Sequence, residues 1–276
     1  VRELSGKVAV VTGAASGIGR ALALRFAAED MTLMLADVDH DGLARTAAMA
    51  GEAGEAGVLT QITDVSDAAA VRHLANRCFG ELRAVHVLCN NAGVFQGGHM
   101  WTRDEEDFSW LLGVNVWGVL HAVHEFVPRM IEQDAEGHIV NTVSAAGLFA
   151  APGTGGYAVT KYAALAASLA LARDLAATGS KLRVTALCPG AVKTRIGESE
   201  RVRPAGPFTR PTQDELDSRE AVSRAAEQGV EPSEIADLVV KAIHDERFLV
   251  LTDPSHADRL RRQAEGLLGG DLPDYQ

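Results

Sequence analysis

Three observations predict a doubly wound α/β architecture for this chain. Short β-branched apolar runs recur along its whole length, helical stretches separate them, and the runs are almost continuously apolar rather than alternating. Such runs suit strands buried on both faces of a parallel sheet, and strand–helix alternation throughout gives helices on both faces of that sheet.

In chain order, residues 7–12 (KVAVVT) read as a strand, 17–29 as a helix and 31–37 (MTLMLAD) as a strand. A helix is expected near 41–50, a strand near 57–63, a helix near 67–79 and a strand at 85–90 (VHVLCN). A long helix should cover 104–133, followed by a strand at 138–144 (HIVNTVS). The alanine- and leucine-rich run to Ala177 is helical, LRVTALCP at 182–189 is a strand, a helix starts at Pro232, FLVL at 248–251 is a short strand, and a last helix follows. No linker interrupts this pattern, so residues 1–276 read as one domain. Residues 191–230, rich in charge and proline, read as a long irregular connection and a candidate substrate lid.

Composition narrows the function classes. The 276 residues are 47% hydrophobic and 23% charged, with a formal net charge of −11. An acidic chain argues against nucleic acid or an anionic membrane as partner. Three cysteines, Cys78, Cys89 and Cys188, fit neither a disulfide framework nor a zinc site, and a reduced, cytoplasmic setting is expected. No stretch reaches the ~18 apolar residues a membrane span needs, and the N-terminus lacks a signal-peptide core.

The loop TGAASGIG, residues 12–19, follows the first strand and opens the first helix. Gly13, Ser16, Gly17, Ile18 and Gly19 are therefore candidate dinucleotide-binding residues: glycines permit a tight turn and close backbone approach, and the helix N-terminus favours a pyrophosphate. Asp37 ends the second strand, where an acid hydrogen-bonds adenosine ribose hydroxyls and repels a 2′-phosphate. Val38 and Ser16, where a base could sit, are uncharged. NAD is therefore expected over NADP. The competing reading makes Asp37 a helix cap, for which Asp39 is the better placed residue.

In YAVTK, Tyr157 and Lys161 stand four apart on a helix and point the same way, whereas Tyr162 points elsewhere. A phenol of ordinary pKa ~10 is a poor base at neutral pH, and a nearby ammonium lowers it. Asn90-Asn91-Ala92-Gly93 follows the fourth strand, Asn115 lies in the long helix, Ser144 ends the fifth strand, and Pro189-Gly190-Ala191-Val192-Lys193-Thr194 follows the sixth. All but Asn115 fall at the C-terminal ends of strands, where ligands bind in open α/β sheets.

With TGAASGIG, NNAG, Ser144, YAVTK and PGAVKT in this order and at these spacings, the sequence resembles the short-chain dehydrogenase/reductase family from about Leu4 to Leu251. The resemblance implies a Rossmann fold with a mostly seven-stranded parallel sheet, and hydride transfer between a nicotinamide cofactor and an alcohol or ketone. It implies Tyr157 as acid/base, Lys161 lowering its pKa and bonding the nicotinamide ribose, Ser144 holding the substrate oxygen, and Asn115 completing a proton relay. Asp64 and Val65 match the family's adenine contact and Asn91 a residue beside the adenosine half. Pro189 and Gly190 belong to the matched PGAVKT segment, in which Val192 and Thr194 match contacts to the carboxamide and phosphates. The family also implies a homodimer or homotetramer built on the two long helices, whose apolar faces carry Trp110, Leu111, Val114, Trp117, Leu165 and Leu169.

Val94, Phe95, Ala145, Leu148, Phe149 and Phe208 are candidate pocket residues, and their apolarity favours an uncharged hydrophobic secondary alcohol or its ketone as substrate. His99, Trp101 and one of Arg195, Arg201, Arg203 and Arg210 could also reach the site. His121 and His124 lack a third partner, and no metal site is expected. The alternatives are an NADP(H)-dependent ketoreductase and a non-catalytic dinucleotide-binding regulator, the latter disfavoured because tyrosine and lysine are both present. The tail after 251 lies beyond the match.

Overall fold

The structure is a computed structural model that describes residues 1–204 and 210–273. Seven parallel strands form one sheet in the order β3-β2-β1-β4-β5-β6-β7. They are β1 (Val8–Thr12), β2 (Thr32–Asp37), β3 (Val58–Ile62), β4 (Val87–Asn90), β5 (Gly137–Thr142), β6 (Leu182–Cys188) and β7 (Leu249–Leu251). The central strands β1, β4, β5 and β6 are buried nearly throughout, which is what their unbroken apolar sequences require. The order reverses between β1 and β4, whose register runs Ala9 to Val87 through Val11 to Cys89. The crevice outside the strand ends at such a reversal is where open sheets bind ligands.

Helices α1 (Gly17–Ala27), α2 (His40–Ala53) and α8 (Pro232–His244) cover one face. Their core joins Phe26, Leu43 and Ile235 to Leu33 and Val140 of the sheet. Helices α3 (Ala68–Arg77), α5 (Gly118–Glu132) and α6 (Gly155–Ala177) cover the other, with Leu74, Phe126 and Leu175 against Leu88 and Ile139. Local chemistry sets the helix starts. Asp39 Oδ1 accepts from Gly42 N (2.9 Å) and so takes the capping role at α2. Asp104 and Asp107 form a reciprocal capping box at α4 (Glu105–Leu112), and Pro232 opens α8.

Two expectations are corrected here. The expected helix 104–133 is α4 and α5 joined by a π-helical turn, Gly113–Trp117, centred on Asn115. The connection 191–230 is not irregular: it holds a 3₁₀ segment, Ile196–Val202, and helix α7 (Gln213–Glu227). The α7 signal was present in the sequence, with Asp214 and Glu215 in the first turn and Arg224 in the last, but the flanking prolines masked it. The last helix, α9, spans Ser255–Gly269. Among the described residues, no helix is long and apolar enough to cross a membrane.

Candidate active site

One cavity of about 490 Å³ opens along the C-terminal ends of the strands. Gly13, Ser16, Gly17 and Ile18 line one end. Gly13 has φ +66° and a Cβ there would lie 2.7 Å from Ala92 Cα, so the loop can close only with glycine. Gly19 does not line the cavity. A Cβ on it would stand 2.1 Å from Gly13 O, so a glycine is needed there for close packing of α1 behind the loop.

Asp37 lines the same end. Its carboxylate accepts from Ala15 N and Asp39 N, both at 2.9 Å, which fixes its orientation and leaves lone pairs toward the cavity. Thr63, Asp64 and Val65 continue this wall, and Ser66 N and Oγ both donate to Asp64 Oδ1. Asn91 also lines it, but its side chain is consumed internally. Nδ2 donates to Thr12 O (3.1 Å) and Oδ1 accepts from Thr142 Oγ1 (3.1 Å), so it ties β1 to β5 across β4. Thr12 Oγ1 was not singled out in the sequence. It accepts from Asn91 N and Ala92 N and shapes the same turn.

At the other end the cavity meets Ser144, Tyr157 and Lys161. Lys161 is 3% exposed, its Nζ donates to Thr142 O (3.0 Å) and lies 5.6 Å from the Tyr157 ring centroid. Burial pulls its pKa down to about 8. Burial also pushes the Tyr157 phenol up to about 12, with the Ser144 hydroxyl pulling part of the way back. Desolvation thus outweighs the Ser144 hydrogen bond at the phenol. Tyr157 packs edge-on against Phe95, with ring centroids 5.1 Å apart. Tyr162 turns away and bonds Leu148 O.

Asn115 is buried and does not line the cavity. Its Oδ1 accepts from Val94 N (2.9 Å), and its Nδ2 donates to Val94 O (2.9 Å) and Thr160 Oγ1 (3.0 Å). A Cβ on Gly93 would lie 3.3 Å from both Asn115 Oδ1 and Lys161 Nζ, so these groups converge on the NNAG turn. Asn115 is thus a positioning residue, set by a π turn of the kind that marks functional sites.

Pro189, Gly190, Val192 and Thr194 line the wall after β6. Val94, Phe95, Ala145 and Phe149 line the cavity as expected, whereas Leu148 packs in the core behind it. Phe208 lies outside the described residues. His99 and Trp101 stack on each other away from the cavity, and Arg203 is held by Asp107 (2.8 Å). Arg195 and Arg201 do line it, while Arg210 is exposed and does not. Trp110, Val222, His256 and Arg259 complete the walls and were not foreseen. They come from α4, α7 and α9, which only the tertiary fold brings together. Among the described residues no His, Cys, Asp and Glu group could hold a metal ion.

The model of the short chain dehydrogenase family matches residues 7–204. This chain is a short-chain dehydrogenase. As such it is an oxidoreductase acting on CH–OH groups. A short-chain dehydrogenase/reductase from Burkholderia phymatum, solved in complex with NAD, is 40% identical with a TM-score of 0.96, covering 99% of this chain and 98% of that one. The 1-deoxy-11-beta-hydroxypentalenate dehydrogenase of Streptomyces avermitilis is 35% identical over 263 residues, 95% of this chain and 90% of the relative. An alcohol dehydrogenase from Thermococcus sibiricus, solved with 5-hydroxy-NADP, is 27% identical with a TM-score of 0.71, covering 90% and 96% of the two chains. The solved structures similar to this chain thus include one with NAD and one with an NADP derivative.

Proposed function

We propose that this short-chain dehydrogenase interconverts a hydrophobic secondary alcohol and its ketone with NAD, using Tyr157 as acid/base. One observation carries the reading: Ser144, Tyr157 and Lys161 open onto the same cavity whose far end is formed by the glycine loop and Asp37. The residues fit a dinucleotide on the strength of that cradle, whose close approach of loop to wall needs glycine: a Cβ would lie 2.7 Å from Ala92 Cα at Gly13 and 3.0 Å from Thr194 Cγ2 at Gly17. Gly13, Ser16, Gly17 and Ile18 would hold the pyrophosphate, and Asp37 the adenosine ribose. Asp64 and Val65 would border the adenine, Asn91 would shape the adenosine wall, and Pro189, Gly190, Val192 and Thr194 would border the nicotinamide half.

The bound nicotinamide supplies hydride acceptance. Tyr157 takes the carbinol proton at its phenolate oxygen, and Ser144 Oγ donates a hydrogen bond to the substrate oxygen. Lys161 would bond the nicotinamide ribose and keep a positive charge beneath the phenol. A phenol held at about 12 needs that charge, and the positive nicotinamide, to ionise near neutral pH. Asn115 holds Val94 and Thr160 in place around Lys161 and would complete a proton path from it. Phe95, Phe149, Trp110 and Val222 keep the reacting centre apolar and dry.

Residues 191–230 would act as a lid, domain closure being unnecessary in a chain that we take as one domain, 1–276. A homodimer or homotetramer in the cytoplasm completes this reading. It is supported by exposed apolar side chains on α5 and α6, among them Leu120, Val159 and Leu169.

One observation favours a second reading, use of NADP. Arg201 lines the cavity and feels the charges of Asp37 and Asp39 across it. Initial rates with NAD and with NADP against a panel of cyclic and aromatic secondary alcohols decide between them. Reduction of NAD is expected at a kcat/KM at least tenfold above NADP, and the reverse order would overturn the role given to Asp37.

A further inference from the structure

Strand β4 ends at Asn90, and residues 91–97 belong to no regular element. Their backbone groups therefore need partners from elsewhere in the fold. Asn115 serves both Val94 N and Val94 O. The next donor, Phe95 N, is served by a different element: it donates to Ser199 Oγ at 2.9 Å. Ser199 sits in the 3₁₀ segment Ile196–Val202 and is 3% exposed. Its one hydroxyl proton goes to Ile196 O (2.7 Å), which leaves an acceptor lone pair for Phe95 N.

The side chain carried by that backbone donor is the Phe95 ring. It is buried and packs edge-on to Tyr157, with centroids 5.1 Å apart and ring planes at 72°. Such a contact depends on where each ring is held. The 3₁₀ segment is itself anchored. Lys193 N donates to Val230 O (2.9 Å) and Val230 N to Ala191 O (3.1 Å), which closes the base of the 191–230 connection. Gly197 packs so closely on α7 that a Cβ there would collide with the Ser223 hydroxyl. Thr194, Arg195, Ile196 and Arg201 line the cavity together with Ser199, and a Cβ on Gly17 would lie 3.0 Å from Thr194 Cγ2. One stretch of chain thus touches the glycine loop at one end and, at the other, bonds the residue that packs on Tyr157.

We propose that Ser199 is a positioning residue for proton transfer: by accepting from Phe95 N it keeps the Phe95 ring on Tyr157, so that the segment bordering the glycine loop and the acid/base are set together. This role rests on Tyr157 as the acid/base and deepens that reading. Alanine in place of Ser199 would leave a buried N–H without its acceptor, and the chain at Phe95 would move to find another. A shift of about 1 Å near reacting groups can cost on the order of a hundredfold in rate.

The test uses the full chain with the dinucleotide that supports turnover and its best secondary alcohol, in four forms: parent, Ser199→Ala, Phe95→Leu and the double variant. Tyr157→Phe is the benchmark for loss of the acid/base. A cooperative melt shows that each variant has folded. Ser199→Ala should lose roughly tenfold in kcat, while the KM of the alcohol and the dissociation constant of the reduced dinucleotide each move by less than about threefold. Phe95→Leu keeps the backbone donor and removes the ring, so adding Ser199→Ala to it should cost less than about twofold more. A hydroxyl that only ties down the segment would act on KM and dinucleotide affinity instead of kcat, and would cost the same factor in the Phe95→Leu background. Either of those results, or an unchanged kcat in Ser199→Ala, overturns the role of Ser199 and leaves the dehydrogenase reading standing. A parent that turns over no alcohol, or a Tyr157→Phe variant that keeps the parent rate, overturns both.

Discussion

Arg103 Nη1 meets Glu215 Oε2 at 2.6 Å, with both side chains only 5–6% exposed. The pair joins the loop before α4 to helix α7 and is one link in a longer chain of charges. Arg103 also reaches Asp107 (3.3 Å), Arg203 reaches Asp107 (2.8 Å) and Glu200 (3.4 Å), and Arg219 reaches Glu215 (2.7 Å). Arg203 further stacks on Trp110, a cavity wall residue, at 4.9 Å. Breaking a buried pair on one side leaves the other charge uncompensated, at about 3–5 kcal/mol. Arg103→Met should therefore lower the melting temperature, and expose α7 to limited proteolysis sooner than the sheet. Equal protection of α7 in the variant would show that these pairs do not hold the segment down.

Lys161 should cost the fold stability that it returns as activity. Its amine, brought down to about 8 by burial, loses its proton in the folded protein between about pH 8 and its ordinary value, while the unfolded chain keeps it. Over that window the unfolded state binds more protons, so Lys161's contribution to stability rises with pH and is lost as pH falls through about 8. Lys161→Met removes the penalty. The variant should melt a few degrees higher than the parent at pH 7, with the gap closing toward pH 10, and lose nearly all turnover. A lower melting temperature for the variant at pH 7 would contradict this.

Asp37 should set cofactor choice. A charged hydrogen-bond acceptor at a ribose diol contributes about 1.5–3 kcal/mol, so Asp37→Ala is expected to weaken NADH binding by roughly one to two orders of magnitude and to bring NADPH closer to it. Fluorescence titrations with both reduced dinucleotides check this. If Arg201 governs the pocket instead, Arg201→Met would change NADPH affinity while Asp37→Ala changed neither.

Asn115 should act on rate through position. Asn115→Ala strips partners from Val94 N, Val94 O and Thr160 Oγ1, all in buried surroundings. A loss of about 2 kcal/mol of stability is expected. The fall in kcat should exceed the change in KM, because the cavity wall itself is intact. Thr160→Val, which removes the third contact together with the Thr160 Oγ1 bond to Tyr157 O (2.7 Å) but leaves both Val94 bonds, should show a smaller loss of both.

The strands and the glycine turn were legible because each needs a residue type that nothing else explains. Gly13 must accept φ +66° against Ala92, and β1 is apolar from Val8 to Val11 because helices cover both of its faces. Asn115 was legible only by family resemblance. A lone asparagine in a helix carries no mark of the π turn that forms around it. The cavity walls from α7 and α9 were not legible at all. Val222, His256 and Arg259 are separated by dozens of residues from Ser144, and tertiary docking brings them to it, of α7 through contacts such as Arg103 with Glu215 and Ser218 Oγ with Gly153 O, and of α9 through Gln263 to Leu148 O (2.7 Å). Asp37 lines the cavity, but its two backbone donors, Ala15 N and Asp39 N, depend on a turn geometry that sequence does not display.

The Tyr157 oxygen is the group on which the proposed proton transfer depends. The most direct measurement is the pH dependence of secondary-alcohol oxidation with NAD by the parent protein and by Tyr157→Phe, with NADH binding to both measured alongside. The parent rate should rise with pH through an apparent pKa well below the value of about 12 to which burial pushes the phenol. Tyr157→Phe should bind NADH with similar affinity but turn over at least about a thousandfold more slowly at every pH. A variant that keeps the parent's rate and pH profile would contradict the assignment of Tyr157 as the acid/base.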